Sequence, residues 1–131
     1  MGTTESGAGS TSGWLPYLQG KTIGTEGSEF GEIVLDDELA QVGRVTLERL
    51  HSPERAPWAI TCGAYGITVH TIYFGDESSA RAAAEAIKPL IERIASIAEE
   101  LGDAAWVKDG EVMHVAPPLK AALAALIERY P

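Results

Sequence analysis

The chain has one cysteine, Cys62, so no internal disulfide framework can hold it together. It has no excess of basic residues. With 10 Lys and Arg against 19 Asp and Glu, its net charge is −9, and the basic footprint that nucleic acid requires is missing. It has no apolar run near the roughly 20 residues needed to span a bilayer. The start, MGTTESGAGSTSGW, has no positive segment followed by an apolar one, so it does not read as a secretory signal. Metal spacings are missing too: His51, His70 and His114 are far apart, and neither C-x2-C nor H-x3-H occurs. Asp36-Asp37-Glu38 does not follow a calcium-loop pattern. There is no serine elbow and no phosphate-binding glycine loop before a helix. These gaps point to a protein of reducing, cytoplasmic surroundings, with no cofactor, no metal, no membrane and no nucleic acid.

What remains is ordinary for a globular chain. The 131 residues are 45% hydrophobic and 22% charged, enough for one domain with its own core. Residues 1–13 are Gly, Ser and Thr without apolar anchors and are expected to be a disordered tail, leaving 14–131 as a single domain. Trp14 and Tyr17, just beyond it, are expected to anchor the start to the body or to a second chain. The acidity is uneven. Residues 22–43 hold Glu26, Glu29, Glu32, Asp36, Asp37 and Glu38 with no Lys or Arg, which is −6 of the −9. Read as a solvated loop, the segment repels itself, and neutralising Asp36, Asp37 and Glu38 is expected to leave stability equal or higher. Read as a surface, it suits a basic protein partner.

The richest stretch is Trp58 to Phe74, WAITCGAYGITVHTIYF. Two β-type runs, 58–63 and 67–74, meet at Gly63-Ala64-Tyr65-Gly66. A two-residue loop, Ala64-Tyr65, would set Cys62 opposite Ile67 and His70 opposite Ala59. A three-residue loop, Ala64-Tyr65-Gly66, gives Gly66 the positive φ it tolerates, and is the favoured reading. Cys62 then pairs with Thr68 and Ile60 with His70, so that Cys62 and His70 share a face as diagonal neighbours. Cys62 among Trp58, Ile60 and Ile72 reads as a small core residue. His70 reads as a satisfied core histidine or as an acid/base. Tyr65 projects from the turn as a contact residue.

Upstream, Ile33-Val34-Leu35 is a short possible strand, and 42–50 alternates with Val45 and Leu47 inward. Asp76 or Ser78 can cap a helix from about 80 to 101, with a stripe of Ile87, Leu90, Ile91, Ile94, Ala98 and Leu101, and Gly102 as its stop. Pro89 predicts a kink, or two helices meeting. Asp109-Gly110 predicts a type I′ hairpin between 104–108 and 111–115. Pro117-Pro118 opens a last helix with Leu119, Leu123, Leu126, Ile127 and Tyr130 inward. The expected class is α+β: an antiparallel meander plus a second short hairpin, with a long helix and a C-terminal helix packed on one face.

Two functions follow. The first is a non-catalytic protein-binding module, acting as a homodimer, with Tyr65, Tyr73, Asp36, Asp37 and Glu38 as partner-binding residues. The second is a small-ligand pocket or enzyme at the 58–74 hairpin, with His70 as acid/base and Cys62 or Tyr73 nearby.

Overall fold

A computed structural model describes residues 13–51 and 56–131. The expected tail, apart from Gly13, lies outside the described residues, as does the middle of the loop before Trp58. The chain forms an α+β fold. Five antiparallel strands run in sequence order: β1 (Leu15–Pro16), β2 (Glu32–Leu39), β3 (Gly43–Arg49), β4 (Trp58–Ala64) and β5 (Thr68–Phe74). Helix α1 (Glu77–Leu101) follows, then the separate hairpin of β6 (Trp106–Asp109) and β7 (Val112–Val115), then α2 (Pro117–Arg129).

Alternation divides the sheet into two faces. Val45, Leu47, Ile60, Cys62 and Ile72 point to one face and are buried against Ile87, Ile91 and Ile94 of α1. We call this the helix face. Helix α2 packs on α1 through Leu119, Ala122 and Leu126, while Ile127, expected inward, is 45% exposed. Asp76 caps α1 by accepting from the Ser79 amide at 2.7 Å. That bond holds its carboxyl below the usual carboxylate range. Gly102 terminates the helix as expected, its amide bonding back to the Ala98 carbonyl. Pro89 does not divide α1, which is continuous across it. The proline lies on the exposed side of the helix. There water can satisfy the carbonyl of Glu85 that loses its amide partner.

Two turns differ from expectation by one residue. In the β4–β5 hairpin Ala64 pairs with Thr68, and Cys62 pairs directly with His70 rather than with Thr68. The loop is Tyr65-Gly66-Ile67, closed by the Ile67 amide donating to the Ala64 carbonyl at 3.0 Å. Gly66 does take positive φ, +75°. The shift keeps Ala64, which is 1% exposed, inside the core rather than in the turn, and lets the Tyr65 amide bond the Val42 carbonyl at 2.9 Å. In the second hairpin Asp109 pairs with Val112, so the loop is Gly110-Glu111. Positive φ falls only on its first residue, Gly110 at +68°. That is the type II′ pattern, not type I′.

Candidate functional site

The opposite face of the sheet is where the sequence misleads. Asp36, Thr46 and Glu48 point to it, and all three are buried. Residues 20–31 fold back over part of this face and cover Asp36 and Glu48. We call it the loop face. The Asp36 carboxylate is the hub of one end. Its Oδ1 accepts from Arg44 Nε at 2.7 Å and Thr46 Oγ1 at 2.9 Å. Its Oδ2 accepts from Arg44 Nη2 at 2.6 Å and Thr22 Oγ1 at 2.8 Å. Arg44 also lies over the Tyr17 ring, 3.7 Å from its centroid, and the Asp36 bond raises its pKa. At the other end Glu48, 0% exposed, accepts from the Gly31 amide at 3.0 Å and from the Glu29 amide at 3.2 Å. Gly27 presses on the same carboxylate so closely that a Cβ there would collide with it. Each buried acceptor thus pins a piece of irregular backbone that has few apolar anchors of its own.

Between the loop and the sheet lies a cleft of about 730 Å³. Ile33, Val69 and Tyr65 give it apolar surface, and Thr22, Thr25, Ser28, Thr46 and Thr61 supply hydroxyls. Arg44 and Glu26 are the charged residues on its lining. The lining is mixed and the volume falls in the usual range for small-molecule sites.

His70 and Cys62 share a face, as expected, but it is the helix face, away from the body of this cleft. Cys62 borders the cleft through its strand, while alternation turns its thiol inward. The thiol is 1% exposed, contacts the His70 carbonyl at 3.5 Å, and is pushed up to about 11 by burial. A thiolate nucleophile is therefore disfavoured at neutral pH. The His70 ring lies beside it on the paired strand, but its Nε2 is engaged with the Tyr130 carbonyl. Tyr65 lines the cleft and donates its hydroxyl to Glu38. Partial burial and that bond raise its pKa. Tyr73 is on the loop face, donating to Glu29.

The acidic segment is largely engaged within the molecule. Asp36 holds Arg44, Glu32 holds Arg49, Asp37 holds Lys88, Glu38 accepts from Tyr65 and Glu29 from Tyr73. The cations come from outside residues 22–43, which is why a local charge count makes the segment look uncompensated. For Asp36 and Asp37 the solvated reading is overturned, and with it the sign of the expected effect of neutralising them. Lys88 is itself buried. Burial opposes its charge, and bonds to Asp37 and Glu85 more than offset that, so its pKa is raised. Trp14 and Tyr17 both anchor to the body. Trp14 donates to Glu92 of α1 at 2.8 Å, and Tyr17 carries Arg44.

Among the described residues no group of three or more His, Cys, Asp or Glu is placed to hold a metal ion. No described helix is long and apolar enough to cross a membrane. Compared with known proteins, the chain matches no family model, no curated protein and no solved structure.

Proposed function

We propose that this is a non-catalytic binding protein whose loop-face cleft takes a small neutral ligand with one apolar side and several hydroxyl or amide groups. The observation that carries this reading is the lining of the cleft: six serine and threonine residues, Thr22, Thr25, Ser28, Thr46, Thr61 and Thr68, beside Ile33, Val69 and Tyr65. Thr22 and Thr46 donate their protons to Asp36 and Thr25 donates to the Thr22 carbonyl, so these oxygens offer acceptors, while Ser28 and Thr61 are only loosely paired at 3.4 Å. Such a set suits a polar but uncharged partner with donors of its own. Arg44, the only cation on the lining among the described residues, already has its charge offset by Asp36. Glu26 and a net charge of −9 disfavour anions further. The non-catalytic part of the reading rests on Cys62 and His70, which face the core and are engaged there.

The competing reading, an acidic surface for a basic protein, draws less support, because the carboxylates of Asp36, Asp37 and Glu38 are committed to Arg44, Lys88 and Tyr65. A thermal-shift screen tests the proposal, with neutral polyhydroxylated aromatic compounds set against their phosphorylated and carboxylated analogues. A neutral compound at about a hundred times its Kd stabilises by roughly 2.7 kcal/mol, a shift of several degrees. The shift should vanish in Thr61→Trp, which fills the cleft. Binding by the anionic analogues alone, or binding that survives Thr61→Trp, overturns the reading.

A further inference from the structure

The β6–β7 hairpin stands apart from the five-stranded sheet. It exposes apolar side chains on both faces: Trp106 is 41% exposed, Val107 47%, Val112 56% and Met113 56%. Single exposed apolar side chains are unremarkable on a monomer, but four in two short strands are not. A two-stranded ribbon is also marginal by itself and gains from a third strand. Its backbone shows which edge is open. The loop Gly110-Glu111 makes Asp109 and Val112 the closing hydrogen-bonded pair, and bonding alternates from there. The Ala116 amide bonding the Ala105 carbonyl at 2.8 Å continues that alternation. By this parity the backbone groups of Trp106 and Lys108 face outward on β6, and those of Met113 and Val115 face outward on β7.

The two edges differ. Strand β6 carries Lys108 and Asp109, charges that block edge pairing. Strand β7, Val-Met-His-Val, carries no formal charge at neutral pH. In a chain of net charge −9, the hairpin contributes Lys108 against Asp109 and Glu111, only −1. Two copies therefore meet here with little mutual repulsion. A basic partner, by contrast, has stronger attraction elsewhere on the molecule.

We infer that two copies of this chain associate by antiparallel pairing of their β7 strands. The two-fold axis passes at His114 and brings Met113 against the partner's Val115. This pairing satisfies the outward amides and carbonyls of both strands. It builds a four-stranded ribbon in which Trp106, Met113 and Val115 of both copies share one face, with Lys108 of each copy on the outer strands of that face. A strand of four residues is only about 13 Å long. The contact is accordingly smaller than the roughly 800 Å² per partner of a standard interface, and the dimer is a reversible one.

Sedimentation of the full chain over a dilution series tests this. The wild type should pass reversibly from dimer to monomer as it is diluted. Met113→Pro removes an amide that faces the partner and leaves the bonds within the hairpin intact. His114→Lys sets two ammonium groups face to face at the axis. Each should weaken the dimer at least about tenfold without changing the circular dichroism spectrum. Asp109→Asn, on the other strand, should leave the association unchanged. If Met113→Pro disturbs the fold, His114→Lys at its exposed position decides. A wild type that is monomeric at every concentration overturns the inference. So does a His114→Lys protein that dimerises as the wild type does, or a monomer whose hairpin instead binds lipid vesicles.

Discussion

The two faces of the central sheet bury their residues by different physics. The helix face is apolar: Val45, Leu47, Ile60 and Ile72 meet Ile87, Ile91 and Ile94, and burial itself supplies the driving force. The loop face is polar: Asp36, Thr46 and Glu48 are as deeply buried. Their partners are a guanidinium, two threonine hydroxyls and two backbone amides from a segment with little regular structure. One face is a core that tolerates reshaping. The other is a set of specific acceptors that leaves a cleft open beside it. Buried polar networks of that kind fix geometry more than they add stability.

The sharpest way to break the comparison is to remove one acceptor from the loop face. Glu48→Ala leaves the amides of Glu29 and Gly31 without their partner, and should cost about 3 kcal/mol or more in a urea unfolding experiment. Asp36→Asn should cost about 2 kcal/mol or more, because it breaks a four-bond hub; Arg44 keeps some solvent, which limits the loss. A neutral or stabilising result for Asp36→Asn would return the acidic segment to the solvated role that its charge count suggests, and the same result for Glu48→Ala would mean that the loop does not depend on its carboxylate.

On the helix face, Ile91→Ala should cost about 2–5 kcal/mol, the price of a core cavity. The two faces should then part in their ligand response. Ile91→Ala should keep the shape of the cleft and its ligand response at temperatures where it remains folded, whereas Glu48→Ala should lose that response even when folded.

The next effect is one of pH. The Cys62 thiol is raised by burial from 9.0 to about 11 in the folded protein. A raised acid pKa means that the folded state holds its proton longer than the unfolded state does. Stability is therefore fully present below about pH 9 and declines as pH rises towards 11, by about 3 kcal/mol at most. Subtracting the alkaline unfolding profile of Cys62→Ala from that of the wild type should isolate this decline. A flat difference would mean that the thiol is more accessible than its burial implies. The smallest effect belongs to Asp76→Ala, which removes the α1 cap and should lower the melting temperature slightly without altering the ligand response.

The contrast also explains what could be read from the sequence. Val45 and Leu47, the α1 stripe and the Asp76 cap were legible because apolar burial leaves a periodic trace. The α+β order followed from the same trace. Gly66 was legible as a positive-φ position, yet the register was off because Ala64 prefers the core to the turn, a tertiary effect invisible in local turn rules. Glu48 leaves no such trace. In sequence it alternates with Val45 and Leu47 like any solvent-facing residue, and only the return of residues 20–31 covers it. The same return makes the cleft, so the cleft had no local signature either. His70 and Cys62 drew attention by residue type. Their true partners, the Tyr130 and His70 carbonyls, are backbone atoms that no motif advertises.

The most direct test of the central claim, that the working surface lies on the loop face and not at His70 and Cys62, is amide-resolved NMR titration with a neutral compound selected by its thermal shift. Perturbations should concentrate at Thr25, Ser28, Thr61, Gly63 and Val69, with the His70 ring resonances unmoved. Perturbations centred on the His70 ring and Tyr130, with the residues of the cleft silent, would contradict that claim.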